Sequence, residues 1–213
     1  MMETRDHIVG MRVVGGNVAL DLANTMHDEF GGEPDFDHLG DYGDLVAWSV
    51  RVGLVSEGSA GRLLEISDQR PFEAEAAHAR VLATRDLLYE VFGAVAVGER
   101  PSPEGLEALR REEGEAISEA RLVPVGGRFA WEWPDGEYLG RMRYPVVHAA
   151  VELLTRGPLD RLKTCAACPW LFLDESKNRS RRWCSMEVCG TDEKVRRYLA
   201  RRAARRTGNQ PDP

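Results

Sequence analysis

The sequence predicts an α+β protein, in which a mostly helical N-terminal domain with one β-hairpin precedes a small cysteine-rich module that ends in a basic helix. Three observations support this class. Apolar residues recur at helical spacing over about residues 71–97. The pattern changes to alternation on both sides of Gly126-Gly127, which is typical of a hairpin. All four cysteines of the chain lie between Cys165 and Cys189.

Composition and charge divide the chain into two unlike parts. With 213 residues, 43% hydrophobic and 30% charged, it resembles globular proteins that form one large domain or two. Residues 156–206 hold 14 of the 28 Lys and Arg residues and 6 of the 35 Asp and Glu residues, a balance of +8. The remainder has 14 basic and 29 acidic residues, a balance of −15. A basic segment on an acidic body is typical of nucleic-acid binding, and a merely solvated arginine surface is the alternative.

Local signals predict the order of the elements. Residues 1–14 are expected to form a short strand or an arm, broken at Gly15-Gly16. The last helix of the first domain should end at Gly157-Pro158, a candidate hinge, with residues 159–163 forming a strand that leads into the second module. Helix starts are predicted at capping or first-turn residues: Asn17, Asp41 or Asp44, Ser56, Pro71, Ser102 and Pro145.

We therefore predict three regions. An acidic, mainly helical domain spans 1–156, the cysteine-rich module spans 157–206, and residues 207–213 form a disordered tail. The first 30 residues contain no signal peptide, and no apolar run reaches the length of a membrane helix. A cytoplasmic protein without a membrane partner is expected.

The cysteines have the spacing of a metal site. Cys165, Cys168, Cys184 and Cys189 form the pattern C-x2-C-x15-C-x4-C, which can close a tetrahedron of thiolates around one Zn²⁺ ion. Four protein ligands leave no open position, so this zinc is expected to be structural, within a treble-clef or ribbon-like module. Two disulfides or an iron–sulfur cluster are the alternatives, and the reducing cytoplasm disfavours disulfides.

Basic residues surround the cysteines. Thr191 is predicted to cap a final helix whose apolar stripe, Val195, Tyr198, Leu199 and Ala203, packs on the zinc core and leaves arginine outside. These basic side chains are the candidate contacts to nucleic acid: Lys177, Arg179, Arg181, Arg182, Lys194, Arg196, Arg197, Arg201 and Arg202.

The chain resembles a known family at these residues. Cys165-x-x-Cys168, Ser180-Arg-Arg-Trp-Cys-Ser-Met186, Cys189-Gly190 and Lys194-Val-Arg-Arg-Tyr198 are similar to the bacterial CGNR zinc-finger proteins, and Ala19-Leu-Asp-Leu-Ala-Asn-Thr25 is similar to their N-terminal ABATE-type domain. The resemblance implies a transcription regulator in which a zinc-bound DNA-binding module follows a domain that senses a ligand or stress. The namesake Asn-Arg is replaced here by Thr191-Asp192, so an arginine contact of the family would be missing.

Several functions stay open from the sequence. An RNA-binding zinc module, or a ligand-sensing or protein-interaction protein that does not bind nucleic acid, are the alternatives to a DNA-binding regulator. We do not expect an enzyme, because none of the common catalytic motifs occurs and only Asp21, Asn24, His27 and Asp28 resemble a catalytic group. A small-molecule effector is conceivable, and a homodimer would suit a palindromic site.

Overall fold

The computed structural model describes residues 5–26 and 37–207, without the side chains of 197 and 200–207. The described elements are α1 (Asp6–Gly10), α2 (Val18–Asn24), α3 (Tyr42–Arg51), α4 (Glu57–Gln69), α5 (Pro71–Ala96), α6 (Pro103–Ser118), β1 (Arg121–Val125), β2 (Arg128–Glu132), α7 (Arg143–Arg156), a 3₁₀ turn (Leu159–Arg161), β3 (Leu162–Thr164), β4 (Leu171–Leu173) and α8 (Cys189–Thr207). The predicted α+β class is confirmed. His27, Asp28 and the tail after 207 lie outside the described residues.

Helix caps account for most of the boundaries. The Asn17 side chain accepts a hydrogen bond from the Ala19 N–H at 2.9 Å, and Asp41 accepts one from the Asp44 N–H at 2.8 Å. The hydroxyls of Ser56 and Ser102 cap α4 and α6 in the same way. These caps satisfy backbone donors that the first helical turn leaves without intrahelical partners.

Three local predictions are wrong. The expected strand or arm over residues 1–14 contains helix α1 instead, whose Ile8 is buried in the core. Residues 159–161 form a 3₁₀ turn before the strand begins at Leu162. Helix α7 begins at Arg143, two residues before Pro145. In each case packing against the rest of the molecule decides the local conformation, which short-range propensity does not capture.

One hydrophobic core joins both ends of the chain. Strands β3 and β4 form an antiparallel pair, and their neighbours in space are helices α2 and α5. Trp170, just before β4, and Phe172, in the middle of β4, are fully buried in the same cluster as Leu22 of α2 and Leu88 of α5. The cysteine-rich region is therefore packed against the N-terminal helices. The boundary at 156/157 stays a prediction.

A buried ion cluster ties α7 to α6. The Arg143 guanidinium, which is inaccessible to solvent, pairs with Glu112 and lies 2.9 Å from Glu115. Burial lowers the pKa of Arg143 to about 10, well below its ordinary value but still above neutral pH. The cluster fixes the start of α7 against α6.

In the described part of the chain, no helix combines the length and apolar character needed to cross a bilayer.

Candidate metal centre and basic surface

Four sulfur atoms meet at one point in the C-terminal region. The Sγ atoms of Cys165, Cys168, Cys184 and Cys189 all lie within 4.8 Å of one another. The Cys168–Cys184 and Cys184–Cys189 sulfurs are 3.6 Å apart, and the Cys189–Cys168 sulfurs are 3.7 Å apart. A tetrahedron of thiolates at the usual Zn–S distance of about 2.3 Å has edges of about 3.8 Å, so the four donors fit one zinc ion.

The backbone around the cysteines forms a tight knuckle. The turn from β3 to β4 closes with a hydrogen bond from the Cys165 N–H to the Trp170 carbonyl at 2.8 Å. The Cys184 N–H donates to the Cys165 sulfur at 3.3 Å, which links the two cysteine pairs and favours the thiolate form that binds metal. Gly190 lies against this knuckle, because a β-carbon there would come within 3.2 Å of the Met186 sulfur.

A second group of polar residues joins the knuckle to the N-terminal helices. The Asn24 amide of α2 donates to the Leu171 carbonyl at 2.9 Å and accepts from the Leu171 N–H at 2.8 Å. The Leu173 N–H donates to the Gly15 carbonyl at 2.9 Å. The Tyr89 hydroxyl of α5 donates to the Pro169 carbonyl at 3.0 Å. These bonds join the backbone of residues 169–173, which include β4, to Gly15 and to helices α2 and α5, and we call this contact the β4 joint.

Comparison with known families assigns both regions. Residues 16–157 match the ABATE family, described as "Putative stress-induced transcription regulator". The chain belongs to the ABATE family. Residues 161–202 match the CGNR zinc finger, so the ABATE domain is followed by a CGNR finger. No curated protein matches the chain. The resemblance seen in the sequence is confirmed for both regions.

The CGNR finger holds one structural zinc. The family match and the four converging cysteines agree on the metal and on its number. Four thiols this close oppose one another's ionisation in the absence of a cation, and hydrogen bonding to Cys165 raises the pKa of the Cys184 thiol. Bound Zn²⁺ would supply the positive charge that keeps all four as thiolates and would fix the fold of the finger, as is usual for closed sites.

An ion pair between the partly exposed Lys163 and the fully buried Asp174 holds the loop between the two cysteine pairs. The Lys163 ammonium group donates to the Asp174 carboxylate at 2.6 Å and to the carbonyls of Arg179 and Arg181 at 2.6 and 3.1 Å. Burial opposes ionisation of Asp174, but its hydrogen bonds to Lys163 and Ser176 hold its pKa well below the usual range. The sequence alone does not single out Lys163 or Asp174 as functional, because the two partners lie 11 positions apart along the chain.

The arginines of this loop have different surroundings. The Arg181 guanidinium donates to the Trp183 carbonyl at 3.1 Å and to the Cys184 carbonyl, and it lies 5.0 Å from the centre of the Phe172 ring. Arg179, with a left-handed φ of 51°, pairs with Asp160. Arg182 is exposed and lies over the Trp183 ring. Arg181 therefore stabilises the backbone at the ligand Cys184, whereas the side chain of Arg182 is exposed to solvent.

The other predicted contacts to nucleic acid are exposed wherever their side chains are described. Lys177, Lys194 and Arg196 are exposed. The side chains of Arg197, Arg201 and Arg202 lie outside the described atoms, although their backbone belongs to α8. Exposed cations therefore lie both on the loop between the cysteine pairs and on α8, and the roles of these residues stay predictions.

The predicted packing of α8 is wrong. The helix begins at Cys189, two residues before the expected cap, Thr191. The stripe residues Val195, Tyr198 and Leu199 are 49%, 63% and 56% exposed, so they do not cover the zinc core. Trp170 and Phe172 are instead fully buried, in the same hydrophobic cluster as the four cysteines. Among the side chains described for α8, the apolar Val195, Tyr198 and Leu199 and the basic Lys194 and Arg196 are therefore all exposed to solvent.

The residues that resembled a catalytic group are structural where they are described. Asp21 accepts a hydrogen bond from the Gly15 N–H at 2.8 Å, and burial raises the pKa of its carboxyl to about 6. Asn24 is occupied by both backbone groups of Leu171. The presence of two polar residues in the apolar sequence of α2 is a signal from which buried polar contacts could be predicted, although it does not identify their partners.

Proposed function

We propose that this protein is a DNA-binding transcription regulator, in which the zinc-held CGNR finger presents an arginine-rich surface to the DNA backbone. The observation that supports the proposal most is the separation of charge. Exposed Lys177, Arg182, Lys194 and Arg196 lie on the finger and α8, within a segment of balance +8, whereas the remainder of the chain has a balance of −15. The acidic remainder repels DNA and restricts binding to the finger.

The finger and α8 would contribute differently. Cations that neutralise phosphates release counterions, so they supply affinity that falls as salt concentration rises. Helix α8 has 19 residues, and its described side chains from Lys194 onward are exposed. A helix of this kind fits the major groove, where one or two arginines can reach guanine. Asp192 in its first turn would keep the phosphates away from this end of the helix.

The ABATE domain would act as the sensor of a small molecule or of stress in the cytoplasm. It has an open cleft of about 600 Å³ whose walls include Trp133, Tyr138, Tyr144 and Arg141. Aromatic rings beside an arginine suit a planar or anionic effector. The β4 joint would carry a change in the helices to the finger, because the two share one core.

The test is binding of fluorescent duplexes, selected from genomic fragments, to the zinc-loaded full chain over a range of salt concentrations. A variant with Lys177, Arg182, Lys194 and Arg196 all changed to Ala should bind more weakly, and its log–log salt slope should fall by about 3 to 4. The matched control changes Arg110 and Arg111 of α6, two exposed arginines of the ABATE domain, to Ala and should bind like the wild type.

Three outcomes would contradict the proposal. Unchanged affinity and slope in the fourfold variant would show that these cations do not contact DNA. Displacement of the duplex by folded RNA at much lower concentration would favour an RNA-binding module. No binding to either polymer would favour a sensor that acts through protein contacts alone.

A further inference from the structure

The β1–β2 hairpin forms a two-stranded sheet of its own. Its register runs from Val125 opposite Arg128 to Arg121 opposite Glu132, and all five residues of β2 are exposed. Phe129 and Trp131 on β2 are 73% and 38% exposed. A free two-stranded sheet is marginal in water, and an exposed strand edge tends to pair with another strand.

The two edges of this hairpin are not equivalent. Gly126 and Gly127 have φ values of 55° and 81°, as in a type I′ two-residue turn, so Val125 and Arg128 form a hydrogen-bonded pair. By alternation, the backbone groups of Phe129 and Trp131 face outward from β2. The residue opposite Phe129 on β1 is Pro124, which has no N–H to donate. The outer edge of β1 is therefore interrupted, and that of β2 is complete.

The sequence of β2 is complementary to itself. It reads Arg128-Phe-Ala-Trp-Glu132. If two copies of β2 pair antiparallel about Ala130, Arg128 of each copy faces Glu132 of the other, and Phe129 faces Trp131. Opposite charges and aromatic pairs directly across strands both stabilise a sheet. This is the one antiparallel register that brings Arg128 opposite Glu132, and it places the outward backbone groups of 129 and 131 opposite each other.

We propose that the outer edge of β2 is a homodimer interface, at which two hairpins join into a four-stranded antiparallel sheet across a two-fold axis. The partner at this edge is a second copy of this chain, because the same five-residue strand supplies both members of the two charge pairs and of the two aromatic pairs. An interface that uses the same patch on both subunits has the symmetry of most homodimers. The dimer goes beyond DNA binding and does not depend on it.

The test is sedimentation velocity of the zinc-loaded full chain over a concentration series. The wild type should dimerise. Arg128→Glu alone and Glu132→Arg alone should each weaken dimerisation by about tenfold or more, since like charges then face each other twice. An equimolar mixture of the two variants should dimerise again, because every carboxylate in the mixed dimer faces a guanidinium. Arg100→Glu, an exposed reversal in the loop after α5, is the control and should behave like the wild type.

A second variant separates this interface from damage to the hairpin, since Glu132 also faces Arg121 within the same chain. Phe129→Pro removes an outward N–H at the position opposite Pro124 and leaves the internal ladder intact, so it should give a monomer with an unchanged circular dichroism spectrum. A monomeric wild type, a dimer insensitive to these changes, or reversal variants that do not recover on mixing would each overturn the proposal.

Discussion

Arg181 and Arg182 are neighbours in a basic segment, yet their side chains differ in contacts and in exposure. Arg181 donates to the carbonyls of Trp183 and Cys184, while Arg182 is exposed. From the sequence, both are candidate contacts to nucleic acid, because composition does not show which guanidinium makes hydrogen bonds within the protein. The four cysteine ligands, by contrast, are predictable, because their short spacing already constrains where the sulfurs can meet.

We expect Arg181→Ala to weaken zinc binding by about 10- to 100-fold, as is typical when a residue that supports a metal ligand is removed. The carbonyl of the ligand Cys184 would lose its donor, and the ring of Phe172 would lose its cation. Competition with a chromogenic chelator measures the effect. Arg182→Ala is the matched control and should retain zinc like the wild type. Equal zinc affinity in both variants would contradict the role assigned to Arg181.

At the scale of elements, the β4 joint explains why polar residues occur in the apolar helix α2. The Asn24 side chain satisfies both backbone groups of Leu171, which would otherwise be buried without partners. The sequence reveals these residues only as a family-like motif, since the partner strand is 147 positions away. Helix caps and the Gly126-Gly127 turn were predictable, because their physics is confined to a few neighbouring residues.

Asn24→Ala should lower the free energy of unfolding by about 2 to 4 kcal/mol, because it leaves one buried N–H and one buried C=O unpaired. Urea denaturation of the zinc-loaded protein measures this loss, and hydrogen exchange at the Leu171 amide should become faster. Asn178→Ala, in the exposed finger loop, is the matched control. The joint would lose its assigned role if both variants cost the same.

Element packing is also where the sequence misleads. The helical spacing of Val195, Tyr198 and Leu199 suggests a buried stripe, but the structure leaves all three exposed. The helical spacing of apolar residues predicts that a helix has an apolar face, but it does not predict whether another element packs on that face. Trp170 and Phe172 are buried instead, in the same cluster as the cysteines and as residues of helices far away in sequence.

At the scale of the whole molecule, the finger and the ABATE domain share one hydrophobic core. Charge, in contrast, is segregated: the basic balance lies in residues 156–206 and the acidic balance elsewhere. A common core with divided charge is consistent with the proposed function, in which a change in the ABATE domain would alter how the finger presents its cations. The charge division can be read from the sequence, but the common core requires the fold.

The most direct test of this account is the dependence of duplex binding on zinc. Chelation of the metal from the full chain should abolish salt-sensitive binding, because structural zinc contributes about 10 to 16 kcal/mol to the folding of isolated fingers and holds the exposed cations in place. One equivalent of Zn²⁺ should restore binding. If the metal-free protein binds the duplex with the same affinity and the same salt slope as the zinc-loaded protein, the account is contradicted.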